Sequence, residues 1–232
     1  MSPHEPAASS CLAELLDAVR RRSADLADDL HPAWLDQGLL RLGLSPGSAT
    51  MGSAKCGAAL AALYGLQWPS LDRFRARAHR VTLLPRREML RVLAAVALHA
   101  ERDRVRLSIG AGLRALLVDR IGEGAYLKLL ESPSLRAGLL EPLSAAEIDA
   151  DRLAWRGLGH LRSAGAWSSR SLLQRVRLAL EPSHAATAPE APEATGGRTQ
   201  PEIVASLSSY FPEHAWLFGS PMDLALSAST TA

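Results

Sequence analysis

The sequence predicts an all-α fold, a mostly helical globular domain with few or no strands. Hydrophobic residues make up 47% of the chain but aromatic residues only 5%, so leucine and alanine must fill most of the interior. Both are strong helix formers and neither is β-branched. Apolar residues also recur at spacings of three and four in several segments, which is typical of amphipathic helices. A chain of 232 residues is long enough for one large domain or two small ones.

The N-terminal third contains three predicted helices. The first covers residues 12–30, and Pro32 begins a second, because proline is tolerated in the first helical turn. Gly43 ends this second helix. Residues 45–57 are small and turn-rich and predict a loop, followed by a helix of small residues over 58–64.

The middle of the chain contains the clearest helical patterns. A serine is predicted to cap a helix over 70–78, and residues 87–100 follow Pro85 as an unambiguous helix. One further helix is predicted over 104–121, ended by Gly122, and a short one over 126–130.

The last predicted helices begin at capping boxes, in which a serine or threonine and a glutamate satisfy free amide groups. One box is at 144–147, before a helix that extends to Leu158. Another helix covers 172–180. Thr199 and Glu202 form the second candidate box.

Composition divides the chain into five predicted segments. Residues 181–200 contain no large apolar side chain, so they are expected to be a disordered linker. The predicted segments are a flexible N-terminus (1–9), a helical domain (10–180), the linker (181–200), an amphipathic and aromatic C-terminal segment (201–226) and a flexible tail (227–232).

A strand-like alternation followed by a G-x-G-x-x-A pattern at 110–115 raises a second possibility, a dinucleotide site using Gly110 and Gly112. Such a site needs a strand before the glycine turn and further strands to build a sheet. No further β-branched runs are present. The helical interpretation places Val105, Ile109 and Leu113 on one side of a helix and is favoured.

No catalytic or metal-binding pattern is evident in the sequence. The seven histidines show no paired metal spacing, and no serine lies in a G-x-S-x-G elbow. His99, on an otherwise apolar helix, is expected in the core. Cys11 and Cys56 are expected to be small buried hydrophobic residues or free thiols of a reducing compartment, without a disulfide framework. No signal peptide and no membrane-spanning tract are recognisable. We therefore expect a cytoplasmic, non-enzymatic protein without a cofactor.

Ten arginines lie within residues 73–106, against three acidic residues. Three interpretations stay open: a solvated helix face, a docking surface for an acidic protein, and a nucleic-acid surface. Aromatic side chains for base stacking are almost absent there, which argues against nucleic acid. The candidate protein-interaction residues in this segment are Arg73, Arg86, Arg87 and Arg91.

The C-terminal segment is unusually rich in aromatic residues. Tyr210, Phe211, Trp216 and Phe218 lie within nine residues, in a chain otherwise poor in aromatic side chains. The segment either folds back onto the core or forms a tethered anchor for a partner, since tyrosine and tryptophan are frequent in interface hot spots.

Two stretches resemble a known family. The run LLPRREMLRVLAAVALHAERDRVRLSIGAGLRALLVDRIGEGAYLKLL resembles the central helical region of the SctK (YscK-like) family. The ending YFPEHAWLFGSPMDLALS is similar to the Hrp branch of that family, found in type III secretion systems of plant-associated bacteria. The resemblance covers about residues 30–180 and the C-terminal tail. Its I-x-G-x-x-(L/V)-R pattern occurs here in shifted form over 109–114.

The resemblance implies a cytoplasmic adaptor of the injectisome sorting platform, at the inner membrane. Such a protein joins the cytoplasmic domain of the inner-membrane ring protein SctD to pods built from SctQ, with SctL and the ATPase beyond. Nucleic acid and membrane insertion are not expected. Alternatives are a nucleotide-binding enzyme at Gly110 and Gly112, and a secreted effector or secretion chaperone.

Overall fold

A computed structural model describes residues 5–24, 26–45, 54–133, 140–186 and 202–219. Within these ranges the chain forms thirteen α-helices and five short 3-10 helices, and no strand. The predicted all-α fold is confirmed. The first helices are α1 (Glu5–Ala24), α2 (Leu26–Asp29), α3 (Pro32–Arg41), α4 (Ala54–Leu63), α5 (Arg77–Arg80), α6 (Arg86–Ala100) and α7 (Arg102–Leu107). The others are α8 (Ala111–Ile121), α9 (Glu123–Glu131), α10 (Ala150–Ser163), α11 (Arg170–Ala179), α12 (Glu202–Tyr210) and α13 (Ala215–Phe218).

The described residues form two compact units. The first comprises the described parts of Met1–Arg86, Ser169–Pro182 and Trp216–Ala232. The second comprises those of Arg87–Ser168 and Ser183–Ala215. Each unit is therefore assembled from separate stretches of sequence. The domain boundaries drawn from composition stay predictions.

Leucines of α2, α4 and α11, together with Leu30 directly after α2, build one part of the interior of the first unit. Leu26, Leu30, Leu60 and Leu178 pack together in a buried cluster. Helix α3 begins as predicted: the His31 ring accepts a hydrogen bond from the amide of Ala33, and a proline occupies the first turn. This arrangement satisfies a helix-end donor that has no partner inside the helix.

An ion-pair cluster is buried in the same unit. The Asp29 carboxylate lies 2.6 Å from the Arg22 guanidinium and 3.2 Å from that of Arg175. Arg175 also stacks on the Trp68 ring, 4.1 Å from its centroid. Burial raises the pKa of Asp29, and the two guanidinium groups oppose that shift. The cluster joins α1, α2 and α11 through contacts in which each charge has an opposite partner.

Helix α6 is the most buried helix of the second unit. Every residue from Met89 to His99 except Arg91 is buried. Helix α10 crosses it at Gly157, where a Cβ would overlap the backbone carbonyl of Leu93. Glycine permits this close approach because it has no side chain.

The single helix predicted over 104–121 is wrong. It is divided into α7 and α8 at Ser108–Gly110, where Gly110 adopts φ +136°, and Ile109 is 87% exposed instead of buried. The hydroxyl of Ser108 bonds to the Arg104 carbonyl and accepts from the Leu143 amide, each at 2.8 Å. The local bond to Arg104 and the long-range bond from Leu143 hold the break in place.

Three other local predictions also need correction. The loop predicted over 45–57 includes the start of α4 at Ala54, and residues 46–53 lie outside the described ranges. The helix predicted over 70–78 is divided into a 3-10 helix, Leu71–Arg75, and α5. In the predicted linker, Pro182–Ala186 is a 3-10 helix, while 187–200 lies outside the described ranges.

His79 is buried in the first unit with both ring nitrogens engaged. Its Nδ1 donates to the Arg73 carbonyl at 2.5 Å, and its Nε2 accepts from the Ser169 amide at 3.4 Å. Burial lowers the pKa of His79 below its ordinary value of 6.5. Protonation would also remove the acceptor that Ser169 uses. The folded protein therefore favours the neutral ring.

Because of His79, we expect the free energy of unfolding to fall in acid. The unfolded chain takes up the proton near pH 6.5 and the folded chain only at lower pH. The stability that the neutral ring contributes is therefore fully present above pH 6.5 and is lost as the pH falls below it. The loss between pH 7.5 and 5.5 amounts to at most about 1.4 kcal/mol. Urea unfolding of the wild type and of His79→Gln across this range measures it. Identical pH slopes for the two proteins would contradict the prediction.

Candidate functional site

The arginines concentrated in residues 73–106 are largely engaged in holding the fold. Arg80 is completely buried and its guanidinium donates to the carbonyls of Phe74 at 2.6 Å and Leu217 at 3.2 Å. Arg102 is also buried and bonds to the Pro133 carbonyl. Neither side chain belongs to a solvated face.

Several other arginines reach the C-terminal ends of neighbouring helices. Arg86 donates from Nε to the Ala179 carbonyl at 2.7 Å, and Arg91 to that of Ile121 at 2.9 Å. Arg106 does the same at the end of α9. The last carbonyls of a helix lack partners within it, and a cation there also offsets the helix dipole. This use of arginine depends on which helices adjoin, so charge counting could not reveal it.

Two of the predicted interaction arginines are available on the surface. Arg73 and Arg87 are exposed, and their guanidinium groups make no hydrogen bond or ion pair within the described ranges. By contrast, Arg86 and Arg91 have the carbonyl contacts given above. An interaction role for Arg73 and Arg87 stays a prediction.

The aromatic C-terminal residues are mostly buried. Tyr210 and Phe211 are buried in the second unit and Phe218 in the first, whereas Trp216 is partly exposed. The sequence left open whether these rings pack on the protein itself or anchor a partner. Three of the four rings pack on the protein itself. Among these four rings only Trp216 is partly exposed, and an interaction role for it stays a prediction.

His99 and Tyr210 belong to a buried chain of hydrogen bonds with a fixed direction. Arg102 lies 3.2 Å from Nε2 of His99, and because arginine only donates, Nε2 accepts. The ring proton is then on Nδ1, which donates to the Tyr210 hydroxyl at 2.9 Å. Tyr210 in turn donates to the Ser132 hydroxyl at 2.8 Å, and Ser132 to the carbonyl of Lys128. The core position expected for His99 is confirmed.

Removing the Tyr210 hydroxyl is expected to weaken folding. Tyr210→Phe leaves the Nδ1 proton of His99 without its acceptor inside the protein, at a cost of about 1–3 kcal/mol. The free energy of unfolding in urea measures the effect. Tyr126→Phe is the control, because no protein partner of the Tyr126 hydroxyl is found among the described residues. Equal losses in the two variants would contradict a role for the hydrogen-bonded chain.

Arg91 joins three parts of the second unit. Beyond the Ile121 carbonyl, its guanidinium lies 2.9 Å from Glu213 and 3.3 Å from Glu88. It also lies over the Phe211 ring, 5.3 Å from the centroid. Arg91 therefore attaches the segment after α12 to helix α6.

Glu88, Glu213 and His214 bring two carboxylates and one imidazole together, with one potential ligand atom from each within 4.8 Å of the others. This set resembles a metal site in composition. However, Arg91 contacts both carboxylates, and His214 lies 3.4 Å from Glu88. The guanidinium already supplies the positive charge that two carboxylates attract, so we describe the group as an ion-pair cluster.

A cavity of about 350 Å³ opens beside this cluster. One wall is the face of α6 that carries Arg87, Leu90, Arg91 and Ala94, spaced three and four residues apart. The remaining lining comes from Glu88 on α6, from Asp119 and Arg120 at the end of α8, from Gly122 directly after it, and from the first residue of α10, Ala150. No pattern in the sequence indicates this site, because its walls come from three separate helices.

The dinucleotide alternative has no structural support in the described ranges. Gly110 directly precedes α8 and Gly112 lies in its first turn, and the chain before them forms helix α7 (Arg102–Leu107) instead of a strand. Both glycines face open space. A Rossmann-type site requires the strand that this arrangement lacks.

None of the described helices combines the length and the apolar composition needed to cross a membrane.

Comparison with known proteins identifies one family. A family model described as bacterial type III secretion protein (HrpB4) matches residues 6–213. No curated protein and no solved structure matches the chain. The matched range contains most of the chain and ends at Glu213, a member of the ion-pair cluster with Arg91.

Proposed function

Because the chain belongs to the HrpB4 family of bacterial type III secretion proteins, we propose that it is a non-enzymatic adaptor of the secretion system's sorting platform. In this role it links the cytoplasmic domain of SctD, in the inner-membrane ring, to the pods that contain SctQ. SctL and the ATPase are reached indirectly. The protein then resides in the cytoplasm and assembles at the cytoplasmic face of the inner membrane.

The observation that carries this proposal is the family match over residues 6–213. The resemblance of residues 30–180 to the SctK family, with the same secretion system in common, supports the finer assignment to the sorting platform. An all-helical fold is compatible with a scaffolding role, although the fold alone does not define a function.

The use of buried histidines supports the non-enzymatic part of the proposal. His79 bonds to backbone groups, and His99 is held as the neutral ring between Arg102 and Tyr210. These contacts position helices and leave neither ring poised to exchange protons with a substrate. General acid–base catalysis needs the opposite arrangement.

Reconstitution with purified components tests the adaptor role. The full chain, SctQ and the cytoplasmic domain of SctD from the same bacterium are mixed pairwise and together, and their masses are measured by size-exclusion chromatography with light scattering. We expect a ternary complex in which this chain is required for SctD and SctQ to co-elute. Failure to bind either protein would overturn the adaptor proposal.

The alternatives give different outcomes in two simple measurements. A saturable thermal shift with NAD or ATP favours a nucleotide-dependent enzyme. Accumulation in the culture supernatant under secretion-inducing conditions favours a secreted effector. The adaptor is expected in the cell fraction, and its deletion is expected to abolish secretion of unrelated substrates.

A further inference from the structure

We propose that the cavity between α6, the end of α8 and the start of α10 receives a glutamate or aspartate side chain of a partner protein. Arg87 on α6 and Arg120 on α8, which both line the cavity, would hold its carboxylate. The proposal rests on the proposed function, because it assigns a chemistry to one contact of an adaptor.

The charges that line the cavity leave one guanidinium without a counterion. Glu88 is paired with Arg91 at 3.3 Å, and Asp119 with Arg120 at 2.8 Å. Arg87 is exposed and has no ion pair within the described ranges. An acidic side chain entering the cavity would supply the missing opposite charge.

Arg120 contributes the second donor from the other wall. Its Nε bonds to the Ile148 carbonyl at 3.1 Å and one terminal nitrogen bonds to Asp119. These bonds fix the guanidinium plane, and the other terminal nitrogen has no partner in the described part of the chain. A carboxylate has two oxygens and can accept from both arginines at once.

The cavity also has an apolar part that suits the stem of an acidic side chain. Leu90 and Ala94 are buried on α6 and line it together with Gly122. Methylene groups of glutamate would pack on this apolar surface while the carboxylate meets the arginines. Glu88 and Asp119 also line the cavity and would repel the dense negative charge of a nucleic-acid backbone. Nucleic acid would also need a longer row of unpaired cations. The chemistry therefore favours a protein carboxylate.

The test uses the full chain, labelled with ¹⁵N-arginine, and the tripeptide amide acetyl-Gly-Glu-Gly as the probe. Nε–Hε resonances of Arg87 and Arg120 are followed during a titration. We expect saturable shifts of both, with a dissociation constant of about 10 mM, as for one charge-assisted carboxylate contact. Arg87→Gln is expected to weaken binding at least tenfold.

Arg162→Gln is the matched control, because Arg162 is exposed on α10, its guanidinium makes no hydrogen bond or ion pair in the described ranges, and it does not line the cavity. It should leave the titration unchanged. Equal shifts with acetyl-Gly-Gln-Gly, or unchanged binding by Arg87→Gln, would overturn the proposal. Tenfold tighter binding of a phosphoserine peptide would also overturn it, by identifying a phosphate site.

This experiment contains no secretion protein, so it can succeed where the reconstitution fails. If the peptide binds but no complex forms with SctD or SctQ, carboxylate binding in the cavity is supported and the adaptor role is rejected. If the wild type binds no peptide and Arg87→Gln still forms the complex normally, carboxylate binding in the cavity is rejected while the adaptor role stands.

Discussion

Replacing Gly157 with alanine is expected to destabilise the protein by about 3 kcal/mol or more. The new Cβ would overlap the Leu93 carbonyl oxygen, which belongs to the backbone of α6. A side chain could rotate away, but this oxygen moves only if the helix moves. Helix α10 must then separate from α6, and the packing of both helices is lost. Thermal and urea unfolding measure the effect.

Gly112→Ala provides the control for this prediction. Gly112 is also helical, in α8, but a Cβ there meets nothing within 4 Å. Alanine should therefore stabilise the helix by up to about 1 kcal/mol, because glycine is the poorer helix former. If both variants changed stability in the same direction, close packing at Gly157 would not be the cause.

Replacing Arg80 with alanine is expected to cost about 3–5 kcal/mol, as when one partner is removed from a buried charged network. Arg80 is completely buried, and its guanidinium satisfies the carbonyls of Phe74, Arg75 and Leu217. Alanine leaves these acceptors buried and opens a cavity. We expect a large fall in the urea midpoint of unfolding.

Two further variants separate the contribution of hydrogen-bond geometry from that of charge. Arg80→Lys keeps the positive charge but cannot reach three carbonyls in the plane of a guanidinium, so it should recover only part of the loss. Arg73→Ala removes an exposed arginine with no ion pair in the described ranges and should change stability by less than about 0.5 kcal/mol. A comparable loss in Arg73→Ala would point to net charge instead of the buried contacts.

Local signals in the sequence predicted much of the fold. The start of α3 at Pro32 follows from proline chemistry, and the end of α8 at Gly122 follows from the φ of +85° that glycine adopts there. Helix α6 followed from its apolar periodicity and is confirmed. Each of these signals acts over a few neighbouring residues and needs no knowledge of the tertiary structure.

The break before α8 could not be predicted in the same way. Val105, Ile109 and Leu113 have helical spacing, yet Ile109 is exposed because the chain turns at Gly110. The turn is held by the bond from the Leu143 amide to Ser108, between residues 35 positions apart. Periodicity contains no information about such a contact.

The candidate site was predicted only in part. The sequence indicated Arg87 as an interaction residue, but it grouped Arg87 with Arg86 and Arg91, whose guanidinium groups bind helix-end carbonyls. Which arginine reaches a carbonyl depends on where other helices end in space. Arg120 was not indicated at all, since it lies outside the arginine-rich segment. Arg120 and Asp119 lie in the last turn of α8, and this position alone gives little indication of a binding site.

The position of Arg91 has a consequence for local opening of the protein. Because the same guanidinium contacts Ile121, Glu213 and Phe211, release of the segment after α12 removes a cap from the end of α8 in the same event. Backbone amides at these two places should then exchange with deuterium at matched rates, as members of one cooperative subglobal unit. Arg91→Gln should accelerate exchange at both places together and leave amides near Asp29 unaffected.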